Sequence, residues 1–126
     1  MKHSFDLIII GGGPIGMSCA TEAQKAGLTY VILEKGCLVN SLYNYPANMT
    51  FFSTSEKLEI GGVPFVSNNI KPTRAEALEY YRRVADNFDL NLRLFERVDT
   101  IKNQSGLFFI STKKAEYIAK NLVIST

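Results

Sequence analysis

The run Phe5 to Gly16, FDLIIIGGGPIG, constrains this chain more than any other stretch, because it closes an apolar strand and opens a helix across three spaced glycines. Leu7 to Ile10 is short and rich in branched aliphatics, the composition of a strand buried on both faces. Gly11, Gly13 and Gly16 then stand at GxGxxG spacing. Gly11 permits a tight turn, Gly13 lets the backbone approach a pyrophosphate with no Cβ in the way, and Gly16 lets the new helix pack closely on the strand. A pyrophosphate would rest on the helix N-terminus. Its free N–H groups and the positive end of the macrodipole stabilise negative charge there without a lysine.

The flanking sequence agrees with this reading. Met17, Ala20, Ala23, Gln24 and Gly27 predict a helix whose small residues face a sheet, with Gly27 ending it, and Leu28 to Leu33 (LTYVIL) reads as the second strand. Strand, glycine turn, helix and strand make a βαβ unit of about 30 residues, right-handed almost by rule. Glu34 stands at the carboxyl end of that second strand, where an acid can accept both hydroxyls of an adenosine ribose. The same acid repels a 2′-phosphate, so the site should take FAD or NAD and not NADP. The alternative is a glycine turn kept for packing alone, in a degenerate relative that binds no dinucleotide.

Several classes are excluded by composition. The 14 basic and 12 acidic residues are mixed along the 126-residue chain, so no basic face suggests nucleic acid. Cys19 and Cys37 are too few for a disulfide framework or a zinc site, which points to a reduced, cytoplasmic setting. The N-terminus imitates a secretory signal, but Asp6 interrupts the apolar run and the glycines would break its helix. No stretch reaches the ~20 apolar residues that a membrane-spanning helix requires.

From Lys35 to Asn48 the pattern becomes a polar and aromatic loop at the carboxyl end of a strand, where ligands lie in such sheets. Asn40, Ser41 and Asn44 offer polar groups to a ligand edge, and Tyr43 and Tyr45 offer flat faces. Equally, the loop reads as an Asn-rich turn with aromatics capping the core. A long segment follows in which Phe51 and Phe52 either cover the sheet or line a pocket, and Glu56 starts a short helical turn.

Thr73 to Glu76 (TRAE) after Pro72 is a capping box. It predicts a helix from Arg74 to about Asn87 that buries Ala77, Leu78, Tyr81, Val84, Ala85 and Phe88, with Arg74, Glu79, Arg82, Arg83 and Asp86 on a solvated face. Leu90 to Phe95 reads as a third parallel strand. Val98 to Lys102, Leu107 to Thr112 and Tyr117 to Ala119 read as an antiparallel meander, and Leu122 to Ser125 as a returning strand buried on both faces. The fold class is therefore α/β: a Rossmann-like parallel sheet flanked by helices, with a three-stranded antiparallel meander as a crossover. A chain that stops at the tip of a core strand reads as cut short.

This order of elements resembles the first segment of the FAD-binding domain in thioredoxin-reductase-like flavoproteins. Within that group the chain is most similar to the YpdA-type bacillithiol-disulfide reductases. The motifs that carry the likeness are GGGPIG (Gly11 to Gly16), ILEKG (Ile32 to Gly36), VNSLYNYP (Val39 to Pro46) and TFFSTSEKLEIGGVPF (Thr50 to Phe65), with Lys71-Pro72 and a closing Ile124-Ser125-Thr126. The resemblance implies an NADPH-dependent reductase, homo-oligomeric at full length, in which FAD passes electrons to a small disulfide. It implies contacts from Gly11, Gly13, Pro14, Ile15 and Gly16 to the pyrophosphate, and from Glu34 and Lys35 to the adenosine end. Asn40, Ser41 and Asn44 would lie near the flavin or ribitol, and the Val98 backbone near the adenine.

Two departures qualify what the resemblance implies. Family members proposed as disulfide reductases carry a cysteine where this chain has Ile15, and Ile15 cannot be a thiol nucleophile. No CxxC is present, and Cys19 reads as a small buried hydrophobe. The family's inserted NADPH domain and returning C-terminal segment are also missing from these residues. Three functions stay open: the FAD-binding portion of a disulfide reductase, a related enzyme with a quinone, ferredoxin or oxygen acceptor, and a non-catalytic nucleotide-binding module.

Overall fold

The computed structural model describes residues 2–126. Strand β1 (Lys2–Ile10) is longer than its apolar run, and its first residues are held by the partner strand that arrives last in the chain. Helix α1 (Pro14–Lys25) starts at Pro14, whose missing N–H costs nothing at a helix start, and Gly27 ends the unit at φ +75°. Strand β2 (Tyr30–Leu33) is shorter than the expected Leu28 to Leu33. Leu28 and Thr29 belong instead to the entry turn, where the Leu28 N–H donates to the Ala23 carbonyl and the Thr29 N–H to the Asp6 carboxylate.

Two short helices follow, α2 (Asn40–Tyr43) and α3 (Ser55–Leu58), then the long α4 (Arg74–Phe88). The turn expected at Glu56 is α3. Helix α2 lies inside the stretch expected to be loop, since a single turn leaves too few positions for a helical period to show. The capping box of α4 is present: the Glu76 N–H donates to Thr73 Oγ1 at 3.2 Å, and the Thr73 N–H donates to Glu76 Oε1 at 3.0 Å. Tyr80, Tyr81, Ala77, Val84 and Ala85 are the buried residues of α4, whereas Leu78 and Phe88 are half-buried against the core. Arg74 departs from the expected solvated face. Its guanidinium donates to the Leu42 and Tyr43 carbonyls and lies 5.5 Å from the Tyr43 ring centre, tying α4 to α2.

Strand β3 (Leu92–Arg93) is only two residues long, in place of the expected Leu90 to Phe95. Its neighbours are claimed elsewhere: Leu90 caps α4 through the Ala85 carbonyl, and Phe95 turns away at φ +54°. Strands β4 (Val98–Gln104), β5 (Leu107–Thr112) and β6 (Glu116–Ile124) complete one six-stranded sheet in the order β3-β2-β1-β6-β5-β4. The last meander strand and the returning strand, expected as two, are one. β6 pairs antiparallel with β5 through its first half and parallel with β1 from Lys2↔Glu116 to Ile10↔Ile124.

Alternation along the strands divides the core between the sheet's two faces. Leu7, Ile9, Tyr30 and Ile32 pack with Met17, Ala20 and the buried face of α4, whereas Ile8, Val31 and Leu33 pack with Ile110, Tyr117 and Ala119 of the meander. The expected double burial of the final strand does not occur among the described residues. Leu122 and Val123 are half-buried and Ile124 is 63% exposed, because the described residues lay little over the end of β6. None of the described helices is long and apolar enough to cross a membrane.

Candidate dinucleotide site

In this sheet β1 is continued on one side by β2 and on the other by β6, so the crossing directions diverge next to the carboxyl end of β1. A crevice opens where connections diverge in this way. A cleft of about 260 Å³ lies there, bounded by Ile10, Leu33 and Ser125 at three strand ends.

The glycine turn forms its base. Gly11 stands at φ +112°, a conformation side chains rarely adopt, and a Cβ there would meet the Ser125 carbonyl oxygen at 2.6 Å. At Gly16 a Cβ would lie 2.0 Å from the Gly11 carbonyl oxygen, so helix and turn are packed backbone to backbone. Gly13 differs from both. It caps α1 in extended conformation, no side chain bonds to that helix start, and a Cβ there would meet nothing within 4 Å. The open space beyond Gly13 faces the N-terminus of a 12-residue helix.

Glu34 is buried and joins the turn to the β2 exit. Its Oε1 accepts the Gly12 N–H at 2.7 Å, and its Oε2 accepts the Gly36 N–H at 2.7 Å. A carboxylate has about four acceptor positions, so each oxygen keeps capacity for a further donor. The Gly12 carbonyl in turn accepts the Val39 N–H at 2.9 Å, which holds Val39 at φ +47° before α2. A left-handed conformation at a β-branched residue is strained. Asn40 and Ser41, which follow it, line the cleft.

Gly11, Gly13, Glu34, Lys35, Asn40, Ser41 and Val98 therefore border one cleft, although they come from four separate segments. Pro14, Ile15, Gly16 and Asn44 do not line it. Pro14 and Gly16 build the helix start, and Ile15 beside them is 68% exposed. Asn44 caps α2, and its amide donates to the Asn40 carbonyl at 3.0 Å. Asn40 has a second task, since its Oδ1 accepts the Cys37 N–H and thiol at 3.4 Å each.

The cleft also holds a residue to which the sequence assigns no role. Glu96 is buried, lines the cleft, and donates its N–H to the Glu34 carbonyl at 2.8 Å. Its Oε2 accepts the Thr112 hydroxyl at 3.0 Å and the Tyr117 hydroxyl from the meander. Burial, followed by the Glu96 hydrogen bond, pushes the Tyr117 phenol up to about 12, so it stays a donor at any physiological pH. Cys19 and Cys37 are free and half-buried, and among the described residues no group of three or more His, Cys, Asp or Glu could hold a metal ion.

The family described as pyridine nucleotide-disulphide oxidoreductase matches residues 8–126. Bacilliredoxin reductase Bdr of Bacillus subtilis is 47% identical over 120 residues, covering 94% of this chain and 37% of that protein. A ferredoxin–NADP reductase of Streptococcus thermophilus is 30% identical over 125 residues, covering 96% of this chain and 34% of that one. The solved structure of bacillithiol disulfide reductase Bdr (YpdA) from Staphylococcus aureus superposes with a TM-score of 0.95 at 46% identity, covering 98% of this chain and 38% of that chain. This chain thus spans well under half the length of the relatives it matches.

Proposed function

Since the chain belongs to the pyridine nucleotide-disulphide oxidoreductase family, we propose that it is the N-terminal portion of an FAD-binding domain, in a reductase that passes electrons from NADPH through FAD to a small disulfide. The observation that carries this reading is the convergence of Gly13, Glu34 and Val98 on one cleft at the carboxyl ends of parallel strands. The residues fit the dinucleotide. Gly13 leaves room for a group to reach the α1 N-terminus, and Glu34 keeps acceptor capacity after bonding Gly12 and Gly36.

In this reading the Gly11–Gly16 turn, with Pro14 and Ile15, binds the pyrophosphate through backbone N–H groups and the helix dipole. Glu34 accepts the ribose hydroxyls, Lys35 borders the adenosine, and the Val98 backbone borders the adenine. Asn40 and Ser41, with Asn44 behind them, lie toward the ribitol and flavin. FAD, when bound, supplies the flavin that accepts hydride and releases electrons to the acceptor. The chain's own residues bind and orient it. Nicotinamide binding belongs to residues beyond this segment, in a homo-oligomeric, cytoplasmic protein.

One observation favours a second reading. Ile15 is exposed beside the turn and offers no thiol, and neither Cys19 nor Cys37 lines the cleft. An acceptor other than a disulfide, such as a quinone, ferredoxin or oxygen, fits that chemistry. The test is turnover by the product of the complete reading frame. NADPH oxidation that depends on added FAD and on a low-molecular-weight disulfide supports the first reading. Oxidation that proceeds only with quinone, ferredoxin or oxygen supports the second, and FAD binding without any oxidation would leave a nucleotide-binding module.

A further inference from the structure

We propose that Glu96 is the positioning residue for the adenosine wall of the cleft, a role that rests on the dinucleotide reading above. The turn that carries it has an unusual backbone at Phe95. Phe95 adopts φ +54° while its side chain is 65% exposed, so no burial of its own ring explains the strained backbone. What holds the turn lies on either side. The Phe95 N–H donates to the Gly36 carbonyl at 3.1 Å and the Glu96 N–H to the Glu34 carbonyl at 2.8 Å, fastening the turn to the β2 exit. The Glu96 carboxylate then reaches the other half of the sheet, where Thr112 at the end of β5 and Tyr117 in β6 both donate to its Oε2.

This arrangement links the glycine turn to the meander through one continuous path. Gly12 bonds the Glu34 carboxylate, the Glu34 carbonyl bonds the Glu96 N–H, and the Glu96 carboxylate bonds Thr112 and Tyr117. Arg97 and Val98, the residues immediately after this fixed point, complete the cleft wall. Burial of a carboxylate costs free energy that an apolar residue of similar volume would not incur. The acid contributes direction: two hydroxyl donors fix the carboxylate, and the carboxylate fixes the backbone that follows. Glu96 therefore acts through Val98 and needs no contact with the cofactor.

The test uses apoprotein from the complete reading frame, with FAD and ADP affinities and the apoprotein melting temperature measured for each variant. Glu96→Ala is expected to weaken FAD and ADP by the same factor, at least tenfold, because both ligands carry the adenosine. Glu96→Gln retains a carbonyl acceptor for the hydroxyls and is expected to recover affinity to within threefold of the parent. Should Glu96→Ala fail to fold, the Thr112→Val/Tyr117→Phe double variant, which removes both donors and leaves Glu96, is expected to show the same paired loss. Unchanged affinities, a loss confined to FAD, or a Gln variant as weak as Ala would each overturn the role of Glu96. A parent protein that binds neither ligand would overturn the dinucleotide reading itself.

Discussion

Glu34 Oε1 accepts the Gly12 N–H at 2.7 Å, so the acid at the end of β2 holds the glycine turn as well as facing the cleft. Replacing it should therefore have two effects. Glu34→Ala leaves two backbone N–H groups without their acceptor and is expected to lower apoprotein stability by about 1–3 kcal/mol, with a loss of FAD affinity of similar size. Thermal melting and flavin fluorescence titration measure the two separately. A stability loss with unchanged affinity would remove Glu34 from the ligand site and leave it a turn staple.

Gly13 and Gly16 should behave oppositely on substitution by alanine. A Cβ at Gly16 collides with the Gly11 carbonyl oxygen, and Gly16→Ala is expected to cost about 1–3 kcal/mol of stability, as overpacking does. A Cβ at Gly13 meets nothing within 4 Å, and φ −85° suits alanine. Gly13→Ala should keep stability within about 0.5 kcal/mol of the parent and lose FAD affinity, because the methyl occupies ligand space. Equal melting temperatures for the two variants would contradict the packing of the turn.

The start of α4 carries a pH dependence. Backbone N–H donors at Thr73 and Asn68 hold the Glu76 carboxyl below its ordinary value of 4.5. A depressed folded pKa means that the stabilisation is present above the unfolded value and is lost as pH falls through the folded one. Acid unfolding of the parent should therefore gain a contribution below about pH 4.5 that Glu76→Gln lacks. Thr73→Ala is expected to cost about 1 kcal/mol at neutral pH. Melts across the acid range measure both, and parallel pH profiles for parent and Glu76→Gln would contradict the capping role.

Tyr80 is fully buried, and its hydroxyl accepts the Ile60 N–H at 2.9 Å and donates to the Val63 carbonyl at 2.7 Å. Tyr80→Phe keeps the ring stacked on Phe65 but releases the loop between Ile60 and Val63. A destabilisation of about 1–3 kcal/mol is expected, the cost of leaving such partners unsatisfied, with faster amide exchange at Ile60. Unaltered exchange at Ile60 would show that the loop is held by other contacts.

The legible parts of this fold are those specified by neighbours in sequence. The βαβ unit, the capping box at Thr73 and the antiparallel pairing of β4 with β5 each rest on residues close to one another in the chain. The lining of the cleft is legible where one residue type has one structural use, as at Gly11, or where strand position gives an acid its place, as at Glu34. Long-range contacts were not. In the sequence Glu96 stands just past the expected third strand, at the same edge as the glycine turn, and only Thr112 and Tyr117, brought across by the meander, make it a buried acceptor. The fusion of two expected strands into β6 escaped for the same reason, since its pairing with β1 spans 114 positions of sequence, as in Lys2↔Glu116. Arg74 looked solvated because its partners, the Leu42 and Tyr43 carbonyls, lie on a helix one turn long.

In the proposed function this cleft binds the adenosine diphosphate half of FAD. The most direct measurement is the visible spectrum and flavin stoichiometry of the purified product of the complete reading frame, before and after incubation with FAD and removal of the excess. One flavin per chain is expected, released on denaturation as FAD and not FMN, with binding weakened in Gly13→Ala. A protein that stays colourless after incubation, or that binds FMN as tightly as FAD, would contradict it.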